Sequence, residues 1–265
     1  MRSIPSSTGG EEQGTGRRGH ITSSPVTQAV RAPRSAAIAG LVFGLILSGV
    51  LVLLHAAAPP SIADAGTWMS DLDRREDVTR ALALIPFAGI AFLWFIAVVR
   101  SSVGHREDRF FDTVFVASGL LFVAMLFAAA AVLSAALRVA EAGIPQEPGA
   151  AAHAWALASS LLGSFGARMA AVFALTVSTA GLRLGNLPRP LALLGYFTGL
   201  MLLLTPPLPP WAQLLFPFWV MAISVRVLFR ERSSARAERL EAVSRPDRPE
   251  VDSPDGDEAP RAREP

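Results

Sequence analysis

Ala36-Ala-Ile-Ala-Gly-Leu-Val-Phe-Gly-Leu-Ile-Leu-Ser-Gly-Val-Leu-Val-Leu-Leu-His-Ala-Ala57 is an unbroken run of residues without a charged side chain. Wound as an α-helix at 1.5 Å per residue it is about 33 Å long, enough to cross the roughly 30 Å hydrocarbon layer of a bilayer. Inside that layer a chain must satisfy its own backbone N–H and C=O groups, which favours helices. The run reads as a transmembrane helix.

Composition extends this reading to the whole chain. Its 265 residues are 51% hydrophobic and 17% charged, with a mean hydropathy of +0.41, whereas an ordinary soluble domain is about a quarter charged. Five more apolar runs follow, at 81–99, 111–137, 151–182, 191–206 and 211–229. Pro207-Leu-Pro-Pro210 joins the last two and calls for a tight hairpin, because proline cannot donate to a helix ladder. The run at 191–206 is the shortest, and it either crosses or re-enters. The expected fold class is all-α: a polytopic transmembrane helix bundle of about six spans within residues 35–229.

Both flanks lack an apolar period. Residues 1–34, rich in Ser, Gly, Thr, Arg and Pro, read as a disordered basic arm, and 230–265 as a charged, largely disordered tail. The arm does not have the layout of a secretory signal, in which a short apolar core follows directly on a charged start.

Orientation follows from arginine, which supplies all 24 basic residues. Arg2, Arg17, Arg18, Arg31 and Arg34 precede the first span; Arg100, Arg106 and Arg109 follow the second; Arg183 and Arg189 follow the fourth; Arg226, Arg230, Arg232, Arg236 and Arg239 close the sixth. The alternate loops hold Arg74, Arg75 and Arg80 among acids, Arg138 alone, and none. The positive-inside rule then places both termini in the cytoplasm. Trp68, Trp155 and Trp211 fall at the opposite interface, where amphipathic rings are favoured.

Several chemistries are excluded or left without support. The chain has no cysteine, so disulfides, thiolate nucleophiles and Fe–S clusters are ruled out. Neither a metal nor a cofactor is expected: His20, His55, His105 and His153 are scattered singly, and a haem held by His55 and His153, both at the outer ends of spans, is a remote alternative. Phosphate-loop, dinucleotide, zinc-protease and serine-hydrolase motifs are missing. A net charge of +2 argues against an acidic partner such as nucleic acid.

Arg168 stands out. It lies in Ser160-Leu-Leu-Gly-Ser-Phe-Gly-Ala-Arg-Met-Ala-Ala-Val-Phe173, with mostly apolar sequence on both sides. An arginine at a helix centre costs roughly 2.5 to 3.5 kcal/mol on insertion scales, so it usually faces a cavity or the bundle interior. Ser164 and Ser160 lie one and two turns before it, forming a polar stripe. With no carboxylate inside any span, Arg168 must turn to hydroxyls such as Ser48, Ser118, Ser134 or Thr198, to carbonyls freed near Pro86 or Pro217, to lipid phosphate, or to an anionic ligand. Alternatively, the long fourth segment slides and Arg168 snorkels outward. Arg168, Ser164 and Ser160 are the candidate ligand-binding residues.

Small residues recur every fourth position at Ala36, Gly40, Gly44 and Ser48, and again at Ser159, Gly163, Ala167 and Ala171. Such stripes let helix backbones approach closely, within one chain or between copies. Gly40, Gly44, Ser48, Gly163 and Ala167 are therefore candidate packing residues. Asp71-Leu-Asp-Arg-Arg-Glu-Asp77 carries four carboxylates but no EF-hand spacing. Ser70 with Asp73 reads instead as a capping pair that starts the helix entering the second span. Pro86 and Pro217 are expected to kink their helices.

Gly104-His-Arg-Glu-Asp-Arg-Phe-Phe111, together with Ile85-Pro-Phe-Ala-Gly-Ile-Ala-Phe-Leu-Trp-Phe95, Gly119-Leu-Leu-Phe-Val-Ala-Met-Leu-Phe127 and Arg168-Met-Ala-Ala-Val-Phe173, resembles a group of uncharacterised bacterial multi-pass membrane proteins. The resemblance covers about Trp68 to Phe229 and implies an integral membrane protein without a known activity. The expected function is a non-catalytic component of the plasma (inner) membrane, in contact with lipid and with a second copy or another membrane protein as candidate partners. The alternative is a small-solute or lipid transporter or binding protein built on Arg168.

Overall fold

The computed structural model describes residues 31–61, 64, 67–103, 109–145, 147, 149–185, 187–204 and 210–244. Most of the expected N-terminal arm, the Gly104–Asp108 part of the second loop, the prolines at 206, 207 and 209 and the acidic tail lie outside them. The described residues form helices joined by turns: α1 Arg31–Ala56, a 3-10 turn Thr67–Met69, α2 Leu72–Val103, α3 Arg109–Glu141, α4 Ala150–Ser160, a π-helical turn Leu161–Gly166, α5 Ala167–Arg183, α6 Arg189–Leu204, α7 Pro210–Gln213 and α8 Leu215–Ser244.

Five helical stretches are long and apolar enough to cross a membrane: Ala37–Ala56, Leu72–Arg100, Asp112–Glu141, Ala150–Arg183 and Trp211–Arg230. α6, with 16 residues, is an apolar helix shorter than these. Between 33% and 44% of the most apolar window of each long stretch is buried, so much of their apolar surface faces outward. On α1 that outward face carries Ile38, Val42, Leu45 and Val52. Apolar surface on this scale marks a membrane-facing protein.

Paired residues give the direction of each helix. Phe43 meets Phe92 across α1 and α2, and Gly119 stands against Ile96 across α2 and α3. Phe115 stacks on Phe173 across α3 and α5, while Gly166 approaches Met125, so these two also run antiparallel. Thr179 Oγ1 is 2.8 Å from Tyr196 Oη, and Gly199 stands against Leu175 and the Ala171 carbonyl, which sets α6 antiparallel to α5. Trp219 donates to the Leu191 carbonyl at 3.2 Å, and α8 returns along α1 with Met221 and the Pro217 carbonyl against Gly44. One end of the bundle thereby collects Arg100, Asp112, Arg183, Arg189, Arg226 and Arg230. The other collects Asp64, Asp71, Asp73, Glu76, Asp77 and Glu141 together with Arg74, Arg75, Arg80 and Arg138. They are called the basic and acidic ends below.

The core is aromatic in the middle and towards the basic end. Phe92 lies 4.3–6.1 Å, between ring centroids, from Phe43, Phe95, Phe122, Phe173 and Phe216. Around it the small-residue positions do their packing inside the chain. Gly40 faces Ser224 and Phe95, Gly44 faces Met221, and Ala167 is buried. Ser48 and Gly163 are half-buried. At Gly195 an added Cβ would run into Ser178 and stand 2.6 Å from Trp219 Nε1.

α2 starts on Asp71, whose carboxylate accepts the Asp73 and Arg74 backbone N–H groups at 3.1 and 3.3 Å, which satisfies two donors that the first turn leaves open. Two readings of the sequence change here. Trp68 does not present its ring outward. It is fully buried, donates to the Ala151 carbonyl at 3.0 Å and packs on Trp155, pinning the α1–α2 connection to the start of α4. Pro217 does not kink a helix interior. It sits in the first turn of α8, where a missing N–H is tolerated, and the chain breaks ahead of it at Leu214.

Candidate functional site

Two local irregularities face each other in the acidic half of the bundle. The segment from α4 to α5 is helical for 34 residues, about 51 Å at the α-helical rise, but it widens into a π-helical turn at Leu161–Gly166. Such turns are rare and frequent at functional sites. Opposite lies the α7–α8 break. Proline 217 can neither donate nor accommodate the carbonyl of the residue four back, Gln213, so a continuous helix through that point is disfavoured. The break sets the Gln213 side chain against the π turn, with its Nε2 3.2 Å from where a Cβ on Gly163 would stand.

Between them is a cavity of about 140 Å³, walled by α1, α2, α3, α4, the π turn and α7. Ten of its fifteen lining residues are aliphatic, among them Leu51, Ile85, Leu126 and Ala130. The exceptions are His55, Trp155, Ser159, Gly163 and Gln213, and no charged residue lines it. A second space of about 20 Å³, bordered by Leu162, Ala167, Leu202 and Phe216, also touches Gln213.

Two sets of polar side chains stand out in the bundle, beside the buried Ser178 and Thr198 hydroxyls, which have no hydrogen-bond partner among the described residues and lie outside the cavity. In one, each group is held by a nearby carbonyl of the same segment. Ser118 donates to Phe115, Thr176 to Val172, Thr179 to Leu175 and Ser224 to Val220, at 2.8–3.1 Å. His55 and His153 each use Nδ1 in the same way, on Leu51 and Gly149. The second set lines the cavity: the Gln213 amide, the Ser159 hydroxyl and the Trp155 indole N–H have no hydrogen-bond partner among the described residues, and His55 keeps Nε2 unused.

Arg168 belongs to the first set. It is half-buried, and its Nη1 donates to the Ser164 carbonyl at 2.8 Å. It pairs with no carboxylate among the described residues and lines neither of the two cavities. The α5–α6 register, Thr179 with Tyr196 and Ala171 with Gly199, sets Arg168 level with the last turn of α6. The final carbonyls of a helix lack intrahelical donors and carry its negative dipole end, so a cation at this height is favoured. Ser164 is half-buried and offers its carbonyl, not its hydroxyl; Ser160 is exposed. Of the three candidate ligand-binding residues, the structure joins Arg168 to Ser164 and leaves Ser160 apart.

Gln213 escaped the sequence reading because it follows Pro210-Trp-Ala and looked like the edge of a hairpin. The available signal was a lone amide four residues before a proline. His55 lines the cavity and His153 does not. Among the described residues, no group of three or more His, Asp or Glu could hold a metal ion. Comparison with protein-family models, with curated proteins and with solved structures finds no match to this chain.

Proposed function

We propose that this protein is a non-catalytic, multi-pass component of a bacterial plasma membrane, with six crossings, both termini in the cytoplasm and lipid as its surrounding partner. One observation carries the reading: the five long apolar helices present outward-facing aliphatic surface, while one end of the bundle holds Arg100, Arg183, Arg189, Arg226 and Arg230 with Asp112, and the other mixes Arg74, Arg75, Arg80 and Arg138 with more numerous carboxylates. The direction of α6, antiparallel to both α5 and α8, supports a sixth crossing. The basic end suits the cytoplasmic face. The resemblance to bacterial multi-pass proteins of unknown activity belongs to the same proposal.

The non-catalytic part rests on how most polar groups within the spans are used. Ser118, Thr176, Thr179, Ser224 and Arg168 each bond a carbonyl of their own helix, a structural employment; the buried Ser178 and Thr198 hydroxyls make no such bond. No observation favours transport through Arg168 over this reading.

The test is a topology map. A reporter active only outside the cytoplasm, inserted beside Asp64, should be active, and the same reporter after Ser244 should be silent. Activity at both places would overturn the six-crossing arrangement. Recovery of the full chain from the soluble fraction would overturn the membrane reading itself.

A further inference from the structure

We propose that the acidic-half cavity is a binding site for a small uncharged amphiphile, a compact apolar ring or short chain bearing one hydrogen-bonding group such as a phenolic or alcoholic hydroxyl. Size sets the first limit. An apolar cavity of about 150 Å³ takes a benzene ring, and this one, which opens to the bundle surface beside the exposed Ser159, holds about 140 Å³. Charge sets the second. No ionised side chain lines the walls, and a charged ligand would lose its hydration without a counter-charge.

The unpaired polar groups set the third. Gln213 offers a carbonyl and an NH₂ at the deep end, level with Leu51 and Gly163; Ser159, Trp155 and the second nitrogen of His55 lie towards the acidic end. Polar groups withdrawn from water favour a partner; the half-buried Gln213 amide and the exposed Ser159 hydroxyl have none among the described residues, and they share this with the buried Ser178 and Thr198 hydroxyls elsewhere in the bundle. A hydroxyl in the cavity would donate to the Gln213 carbonyl or accept from its NH₂, while the ring lay among Leu126, Ala130 and Leu162. The Gly163 backbone is what leaves the amide room, since a Cβ there would press on Nε2 at 3.2 Å.

The experiment titrates 4-bromophenol, bromobenzene and 4-bromobenzenesulfonate into the full chain in phosphatidylcholine nanodiscs and follows tryptophan fluorescence, which bromine quenches at short range. We expect saturable quenching by 4-bromophenol, lost in Trp155→Phe, and an affinity about tenfold above that of bromobenzene, the worth of one hydrogen bond in an apolar site. Gln213→Leu should bring the two probes to the same affinity. Ala130→Leu should fill the cavity and abolish saturation. Ser159→Leu, on an exposed part of the wall, decides the matter should the Ala130 variant misfold. Arg168→Leu should change nothing. Quenching that rises linearly without saturation, or saturation untouched by both filling variants, overturns the proposal. So does tighter binding of the sulfonate, which would return the site to Arg168. Since the topology map uses none of these probes, the two readings fail separately.

Discussion

The aromatic middle of the bundle and its acidic half are both apolar, yet they are built to opposite effect. In the middle, Phe43, Phe92, Phe122, Phe173 and Phe216 interlock edge to face, Trp219 stacks on Phe216, and glycines on α1, α3 and α6 bring backbones close enough for the rings to fill the space. In the acidic half Ala129, Ala130, Ala158 and Gly163 stand among the facing leucines, the helix widens by a π turn, and a space of about 140 Å³ is left between the walls. Hydrophobicity takes both regions into the membrane. Side-chain volume then decides which is solid and which has room, because lipid tails are as apolar as the core and association depends on close packing.

The sharpest way to break this contrast is Phe92→Ala. Five rings lose a neighbour at once, and a cost of about 3–5 kcal/mol is expected, measured by reversible unfolding in mixed micelles. A cost below about 1 kcal/mol would mean that the middle is no better packed than the acidic half.

Next comes Gly195→Ala, which drives a methyl into Ser178 and Trp219 and should cost about 1–3 kcal/mol by overpacking. Gly49→Ala is its control: no atom lies within 4 Å of a Cβ there, and the change should be neutral or favourable by up to about 1 kcal/mol. Equal effects at both positions would remove the argument that glycines set the helix spacing.

Trp68→Phe keeps the ring against Trp155 but deletes the bond to the Ala151 carbonyl. A loss of about 1 kcal/mol is expected, with faster proteolysis of the α1–α2 connection.

The smallest effect is expected at Arg168. If its work is to hold the Ser164 carbonyl, Arg168→Leu should alter stability by no more than about 1 kcal/mol, with abundance and any phenotype unchanged. A large loss of function in a folded, abundant variant would reinstate a ligand role.

Much of the architecture was legible without coordinates. Ala36–Ala57 announced its helix by length and lack of charge, and the apolar runs at 81–99 and 111–137 did the same. The site was legible only in part. Arg168 drew attention because a charge in hydrocarbon is costly, but cost does not reveal which neighbour offsets it. Gln213 drew none, since its importance comes from a break in the chain and from Gly163 across the gap.

What the sequence determined by itself is the helical, membrane-facing character of the chain and the bias of arginine towards one set of alternate loops. These follow from one-dimensional properties, run length and charge placement, that act on each segment alone. Which glycines touch which rings, where the fourth helix widens, and that Gln213, Ser159, Trp155 and His55 share one cavity were decided only by the tertiary structure. Those facts depend on the registers between helices distant in sequence, and a register is set by the fit of two surfaces, which neither segment carries alone.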